Sequence, residues 1–190
     1  MQRFLATFDL HFGYERRSGH KVPLHDLKAW GAVMKFAQDF KPHVWIHGGD
    51  MLDCGVISHH NKHKPGRTEG LRLLQEAEEG RRVFIEPVEA LRPSKLVYMV
   101  GNHEDWLQDL VDENPGIEGL VDLKKLLKLD KWDIIEQGGV FNLGKLTFVH
   151  GDTVSGGEHV AKSAVVSYER NIRFGHHHTY QAYTKNSPIS

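Results

Sequence analysis

Five short β-prone runs in this chain each break into a glycine-bearing turn that carries an acid, an amide or a histidine. That repeated event limits the fold more than any other feature. Arg3–Phe8 runs into Asp9-Leu10-His11-Phe12-Gly13, Val44–His47 into Gly48-Gly49-Asp50-Met51-Leu52-Asp53, and Lys95–Val100 into Gly101-Asn102-His103-Glu104. The run 145–149 ends in His150-Gly151-Asp152, and 171–174 in Gly175-His176-His177-His178. Helical stretches separate the first three runs. Leu24, Leu27, Trp30, Met34, Ala37 and Phe40 recur at helical spacing over 24–40, and Pro42 stops that helix. Residues 67–92 carry Leu71, Leu74, Phe84, Val88 and Leu91 on one face, with Pro87 as a kink or interruption. Strand–helix–strand alternation predicts parallel strands joined by right-handed crossovers. In such folds ligands bind outside the carboxyl ends of the strands, where the five turns fall.

Beyond the third run, 103–111 and 122–129 read as helices, and 132–136, 140–143 and 145–149 as short strands. A helix over 158–169 and strands at 171–174 and 180–184 complete the pattern. The later strands predict a second, mixed sheet packed on the first, so the expected fold is an α/β two-sheet sandwich. With 190 residues and no internal repeat, one domain over 1–190 is expected. The net charge of −1 argues against a strongly cationic nucleic-acid protein and leaves room for a local basic groove. The single cysteine, Cys54, excludes a disulfide framework and Cys-rich zinc modules. No apolar run approaches membrane-spanning length, and the opening MQRFLATFDL does not read as a secretory signal, so no membrane partner and a cytoplasmic setting are expected.

The chain carries 14 histidines, and their placement matters more than their number. Asp9 and His11 are two apart, as are His176 and His178; in an extended chain such positions share a side and His177 points away. Carboxylates, an amide and imidazoles with no thiolate suit Mn, Fe, Zn, Ni or Co, and there are ligands enough for two ions. Two carboxylates, Asp9 and Asp50, against two divalent ions leave a charge of about +2, or about +1 with a hydroxide between them. Such a centre receives a phosphate and generates its own nucleophile from water near neutral pH.

The blocks D-x-H, G-D-x-x-D, G-N-H-[DE], H-G and G-H-x-H, in that order from Asp9 to His178, resemble the calcineurin-like metallophosphoesterase superfamily. The resemblance implies an αββα sandwich and a dinuclear centre. It implies that Asp9, His11 and His178 hold one metal, that Asn102, His150 and His176 hold the other, and that Asp50 bridges them. It makes His103 the general acid for the leaving oxygen and gives Asp53, through its carboxylate, the task of orienting His103. Two features depart from the pattern. His177 stands where a small residue is usual, and the chain ends soon after His178, where many members continue: it reads either as a compact member or as one whose C-terminal part is missing, and an incomplete second sheet would leave an edge strand that invites pairing. Cys54 occupies the position where the protein Ser/Thr phosphatases of the superfamily carry an arginine, which argues against that branch. DLHFG, GGDMLD and GNHED look more like compact bacterial and phage phosphoesterases and the superfamily's DNA-repair nucleases.

The expected activity is therefore hydrolysis of a phosphate ester by a metal-bridging hydroxide, with two divalent ions, Mn first among them and Fe, Zn, Ni or Co as others. A phosphodiester is preferred, nucleic acid or nucleotide among the candidates. The alternatives are a phosphomonoesterase or nucleotide hydrolase, and a catalytically silent, metal-stabilised interaction module. Other residues carry two readings each. His59 and His63 could pair on a helical face as metal ligands, or belong with His60 to a solvated loop; Lys62, Lys64 and Arg67 could meet a polyanion or only solvent. Arg16, Arg17 and Lys21 are phosphate contacts or surface charge, and His159, after Gly156-Gly157, could reach the substrate. Trp106 reads as helix packing rather than base stacking, and Cys54 as a buried thiol rather than a nucleophile.

Overall fold

The computed structural model describes residues 2–185. In chain order the strands and helices are β1 (Phe4–Thr7), β2 (Tyr14–Arg17), β3 (His20–Pro23), α1 (Leu27–Phe40), β4 (Val44–His47), α2 (Pro65–Thr68), α3 (Leu73–Gly80) and α4 (Glu86–Ala90). There follow β5 (Lys95–Met99), α5 (Asn102–Glu113), α6 (Leu123–Leu127), β6 (Asp133–Ile135), β7 (Phe141–Leu143), β8 (Leu146–Phe148), α7 (Val160–Tyr168) and β9 (Asn171–Arg173). One sheet is wholly parallel, in the order β1-β4-β5-β6. The other is mixed, with β8 antiparallel to β7 and parallel to β9.

The parallel strands are apolar on both faces because both are covered. Val44, Ile46, Val97 and Met99 point toward the second sheet and pack with Phe148. Their alternates Trp45, Leu96 and Tyr98 pack with Trp30 and Phe84 from the helical side. On the far face of the second sheet Val149 and Ile172 pack against Val160 and Ala164 of α7. The layers run helix, sheet, sheet, helix: an α/β two-sheet sandwich. Trp45, Phe84 and Tyr98 are fully buried. Each such side chain contributes about 2–3 kcal/mol of transfer free energy.

Local chemistry explains where elements start and stop. Helix α1 begins at Leu27, later than the apolar spacing implies. The Asp26 carboxylate accepts the Lys28 and Ala29 amides, at 2.8 and 3.0 Å, and so caps the helix. Residues 67–92 do not form one helix. The chain turns after α2, and between α3 and α4 it adopts a π-helical stretch, Arg81–Ile85. Pro87 has no N–H to offer the Val83 carbonyl one turn back. The Trp30 indole N–H donates to that carbonyl instead, at 2.8 Å, while the Glu86 amide reaches back to Arg81.

Three expectations need correction. The run 132–136, expected with the later strands in the second sheet, gives β6, which instead extends the parallel sheet beside β5. The β2–β3 hairpin, with Ser18-Gly19 at its turn, was not among the expected strands: its YERR and HKVP segments are too charged for an apolar pattern to show. Residues 180–184 form no strand. Gln181 ties that segment to the start of α7, accepting the Ala161 amide at 3.1 Å and donating to the Glu158 carbonyl at 3.2 Å. Among the described residues no helix is long and apolar enough to cross a membrane.

Candidate metal centre

The turns after β1 and β4 lie side by side. The amides of Asp9, His11 and Phe12 donate to the carbonyls of Gly49, Asp50 and Met51, at 3.0, 3.1 and 2.6 Å. Asp9, His11, Asp50, His176 and His178 all have left-handed backbones, with φ between 44° and 69°. Such a conformation costs a non-glycine residue about 1–2 kcal/mol. It persists where the surroundings over-determine it, as at functional sites. Asp9 with His11, and His176 with His178, are therefore not aimed by strand alternation, as their spacing suggests. Each sits in a coil past a strand end.

What holds the β4 and β5 turns together is Glu104, fully buried near the start of α5. Its Oε2 accepts the amides of Asp50 and Gly101, at 3.0 and 2.9 Å. Its Oε1 accepts the amides of Met51 and Leu52, at 2.6 and 2.9 Å, and the Tyr98 hydroxyl at 3.1 Å. Burial pushes the Glu104 carboxyl up and the Asp50 charge adds to this, while the amides of Leu52 and Gly101 pull it down. Glu104 lies in the G-N-H-E block, but the sequence gives no sign of this task.

Potential ligands converge in three groups, within each of which the ligand atoms lie within 4.8 Å of one another. Asp9, His11 and His178 form one. His11 Nε2 and His178 Nε2 face each other at 3.1 Å, and the His176 amide donates to both Asp9 oxygens, at 2.9 and 2.8 Å. Asp50, His150 and His176 form the second. Asn102 Oδ1 adjoins it, 3.0 Å from His150 Nε2 and 2.9 Å from His176 Nδ1. The His150 Nδ1–H donates to the Gly48 carbonyl at 3.0 Å, which turns Nε2 inward.

The third group is His11, Asp53 and His103. Here the structure differs from the expected contact. The Asp53 main-chain carbonyl accepts His103 Nδ1–H at 2.6 Å. The Asp53 carboxylate is 3.8 Å from that nitrogen and nearer to His11 Nδ1, at 3.4 Å. A left-handed Cys54 follows Asp53 and turns the chain there. The His103 amide donates to Asp50 Oδ1 at 3.0 Å, and His103 Nε2 lies 3.9 Å from Asp50 Oδ2. Trp106 packs on the apolar core as expected, but its ring also lies over His103, 4.2 Å between centroids and inclined by 33°.

The electrostatics follow from this crowding. Burial pushes Asp50 up, but His150 and His103 outweigh it and hold its carboxyl down at about 2. Burial pulls His150 down, but Asp50 above all raises it to about 9. His11 is likewise lowered by burial and raised more by Asp53, Asp50 and Asp9. His176 is lowered by burial and by the neighbouring His150 and His177. Carboxylate, amide and imidazole donors turned toward one another at these separations fit divalent ions of borderline hardness.

The remaining candidates lie elsewhere. None of the three ligand groups contains His59, His60, His63 or His159. His59 and His60 lie 3.9 Å apart, with their edges toward Trp106. Lys62 pairs with Glu113 at 2.8 Å, while Lys64 and Arg67 are exposed around the start of α2. Arg16 donates to the Gly19 and Glu69 carbonyls, Arg17 pairs with Glu15, and Lys21 lies over the Tyr14 ring. His159 is exposed at the head of α7. Cys54 is buried, and burial with the nearby Glu76 and Glu104 pushes its thiol up. Glu76, which the motifs did not single out, accepts the Cys54 amide at 2.6 Å, and burial raises its carboxyl to about 8.

A family model described as calcineurin-like phosphoesterase matches residues 3–186. Comparison with curated proteins gives no match.

Proposed function

The chain belongs to the calcineurin-like phosphoesterase family and is a metal-dependent phosphoester hydrolase, and from that premise we propose a dinuclear centre with a role for each residue of the site. The observation that supports it is the division of the ligands into two sets: Asp9, His11 and His178 in one, and Asp50, His150 and His176 with Asn102 in the other. Asp50 is assigned to both ions. When bound, two divalent ions supply an activated water and a positive clamp for the phosphoryl oxygens. Mn is the first metal to try.

The protein's own part is orientation and proton transfer. The Glu104 cradle fixes the main chain at Asp50, and the His176 amide fixes the Asp9 carboxylate. With Nδ1–H committed to the Asp53 carbonyl, the proton that His103 gives up is the one on Nε2. It passes to the leaving oxygen as the bond to phosphorus breaks. No side-chain nucleophile is required, so no covalent phosphoenzyme forms.

A small ester is favoured over nucleic acid. The expected polyanion contact at 62–67 is weakened by the Lys62–Glu113 pair, and the neighbouring cavity is lined by Asp109, Asp112 and Glu113. A diester remains the preferred small substrate. The test is hydrolysis of bis(p-nitrophenyl) phosphate beside p-nitrophenyl phosphate with Mn(II), with the Asp50→Asn protein as background. Diester turnover lost in the variant supports the proposal, and monoester turnover alone makes the protein a phosphatase. No turnover with Mn, Zn, Ni or Fe, together with metal-dependent stability, refutes catalysis in favour of an interaction module.

A further inference from the structure

A groove of about 600 Å³ opens from the candidate centre and runs between the β1–β2 turn and the first half of α1. One end is made by the centre itself, including His11, His103 and His178. The rest is mostly apolar: Leu10, Leu24, Ala29, Trp30 and Val33 supply most of its wall, with His25, which lies 3.7 Å from Glu79, and Asp26 beside them. The residues lining it include no lysine or arginine, and the charge at its outer part is the exposed Asp26 carboxylate.

We propose that this groove seats the alcohol portion of the substrate, and that this portion is an apolar, uncharged, ring-bearing group. The inference rests on the reading of His103 as the acid that protonates the leaving oxygen. The alcohol then leaves on the side of His103, and the groove is the cavity that His103 lines. A second cavity, of about 570 Å³, touches Asp9 and His178 from the other side, among Phe8, Phe174 and Tyr183, but His103 does not line it. Charge decides the chemical class. A second phosphate in the groove would face Asp26 and Asp53 with no lysine or arginine to answer it, whereas an apolar ring loses only water. The volume lies in the range of pockets that enclose most of a small organic ligand. A phosphate ester of an apolar aromatic or alicyclic alcohol fits these walls, and a polynucleotide does not.

The experiment measures binding of inorganic phosphate, phenylphosphonate and 2-naphthylphosphonate to the full chain loaded with Mn(II). Hydrolysis of phenyl phosphate and 2-naphthyl phosphate is followed separately. The naphthyl compound is expected to bind about tenfold more tightly than the phenyl compound, the usual return on added apolar bulk in a fitting pocket. Leu24→Asp at the rim, and independently Ala29→Asp on the exposed face of α1, should reduce that ratio at least severalfold. Equal affinity for the two phosphonates, a ratio unchanged in both variants, or no binding of any of the three probes overturns the proposal. Metal-dependent hydrolysis of both esters without a naphthyl preference overturns the groove alone. A naphthyl preference without hydrolysis of either ester or of bis(p-nitrophenyl) phosphate supports the groove and overturns the catalytic reading.

Discussion

Replacing Gly101 with alanine tests how tightly the centre depends on backbone contact. Gly101 has φ −89° and ψ 177°, which any residue adopts, so conformation is not the obstacle. Space is. A Cβ on Gly101 would lie 2.9 Å from Asp50 Cγ and closer still to Asp50 Oδ1 and its backbone nitrogen. Ordinary contact between carbon atoms is about 3.5–4.0 Å, so the two turns must part by roughly 1 Å. Rotation of the Asp50 side chain gives no escape, because its backbone nitrogen is also in the way and is held by Glu104 at 3.0 Å. A displacement of that size in a reacting constellation costs on the order of 100-fold in rate. The overpacking itself should cost about 1–3 kcal/mol of stability. The assay is kcat for an ester substrate with Mn(II) titrated to saturation, together with the metal content of the purified protein. Gly116→Ala, where a Cβ meets nothing within 4 Å, is the control. If Gly101→Ala kept its full metal complement and activity within about threefold of the parent, the argument that this contact aims Asp50 would be wrong.

Further outcomes follow from the same geometry. His103→Ala should keep its metal and lose about 10²–10⁴ in turnover, most for poor leaving groups; equal losses for p-nitrophenyl and alkyl esters would remove the acid role. Trp106→Ala should free the His103 ring and lower kcat about tenfold with little change in KM, and Trp106→Phe should restore most of it. Chelation of the metal should lower the melting temperature, and added Mn(II) should restore it in a concentration-dependent way. Glu76 carries a carboxyl raised to about 8 in the folded protein. The folded state therefore binds that proton more tightly than the unfolded one, so its contribution is full below the ordinary carboxylate range and is lost as pH rises through about 8. Urea melts of the metal-free protein should show stability falling between pH 5 and 8, by at most about 1.4 kcal/mol per pH unit, and Glu76→Gln should flatten that slope.

The parallel strands were legible because β4 and β5 are buried on both faces and read as continuous apolar runs, each broken by a glycine turn. The β2–β3 hairpin was not, since Tyr14–Arg17 and His20–Pro23 carry charge where a strand signal would need alternation. The same limit applies at the centre. The motif blocks named the nine residues from Asp9 to His178 that the structure gathers into its three ligand groups and around Asn102. Their spacing suggested strand alternation as the means, whereas left-handed turns do the aiming. Whether Asp53 meets His103 with its carboxylate or its carbonyl depends on the bend at Cys54, which no motif encodes. The task of Glu104 depends on β4 and β5 being neighbours in the sheet, a fact of topology rather than of local pattern.

That cradle also sets how the centre moves. The amides of Asp50, Met51, Leu52 and Gly101 all end on one buried carboxylate carried by α5. Glu104 cannot move away without stranding all four donors at once. In hydrogen–deuterium exchange these four amides should form a single slow class, released together and only when the parallel sheet itself comes apart. The turns that hold the ligands would then belong to the last part of the molecule to breathe, although they lie in irregular chain at its catalytic edge.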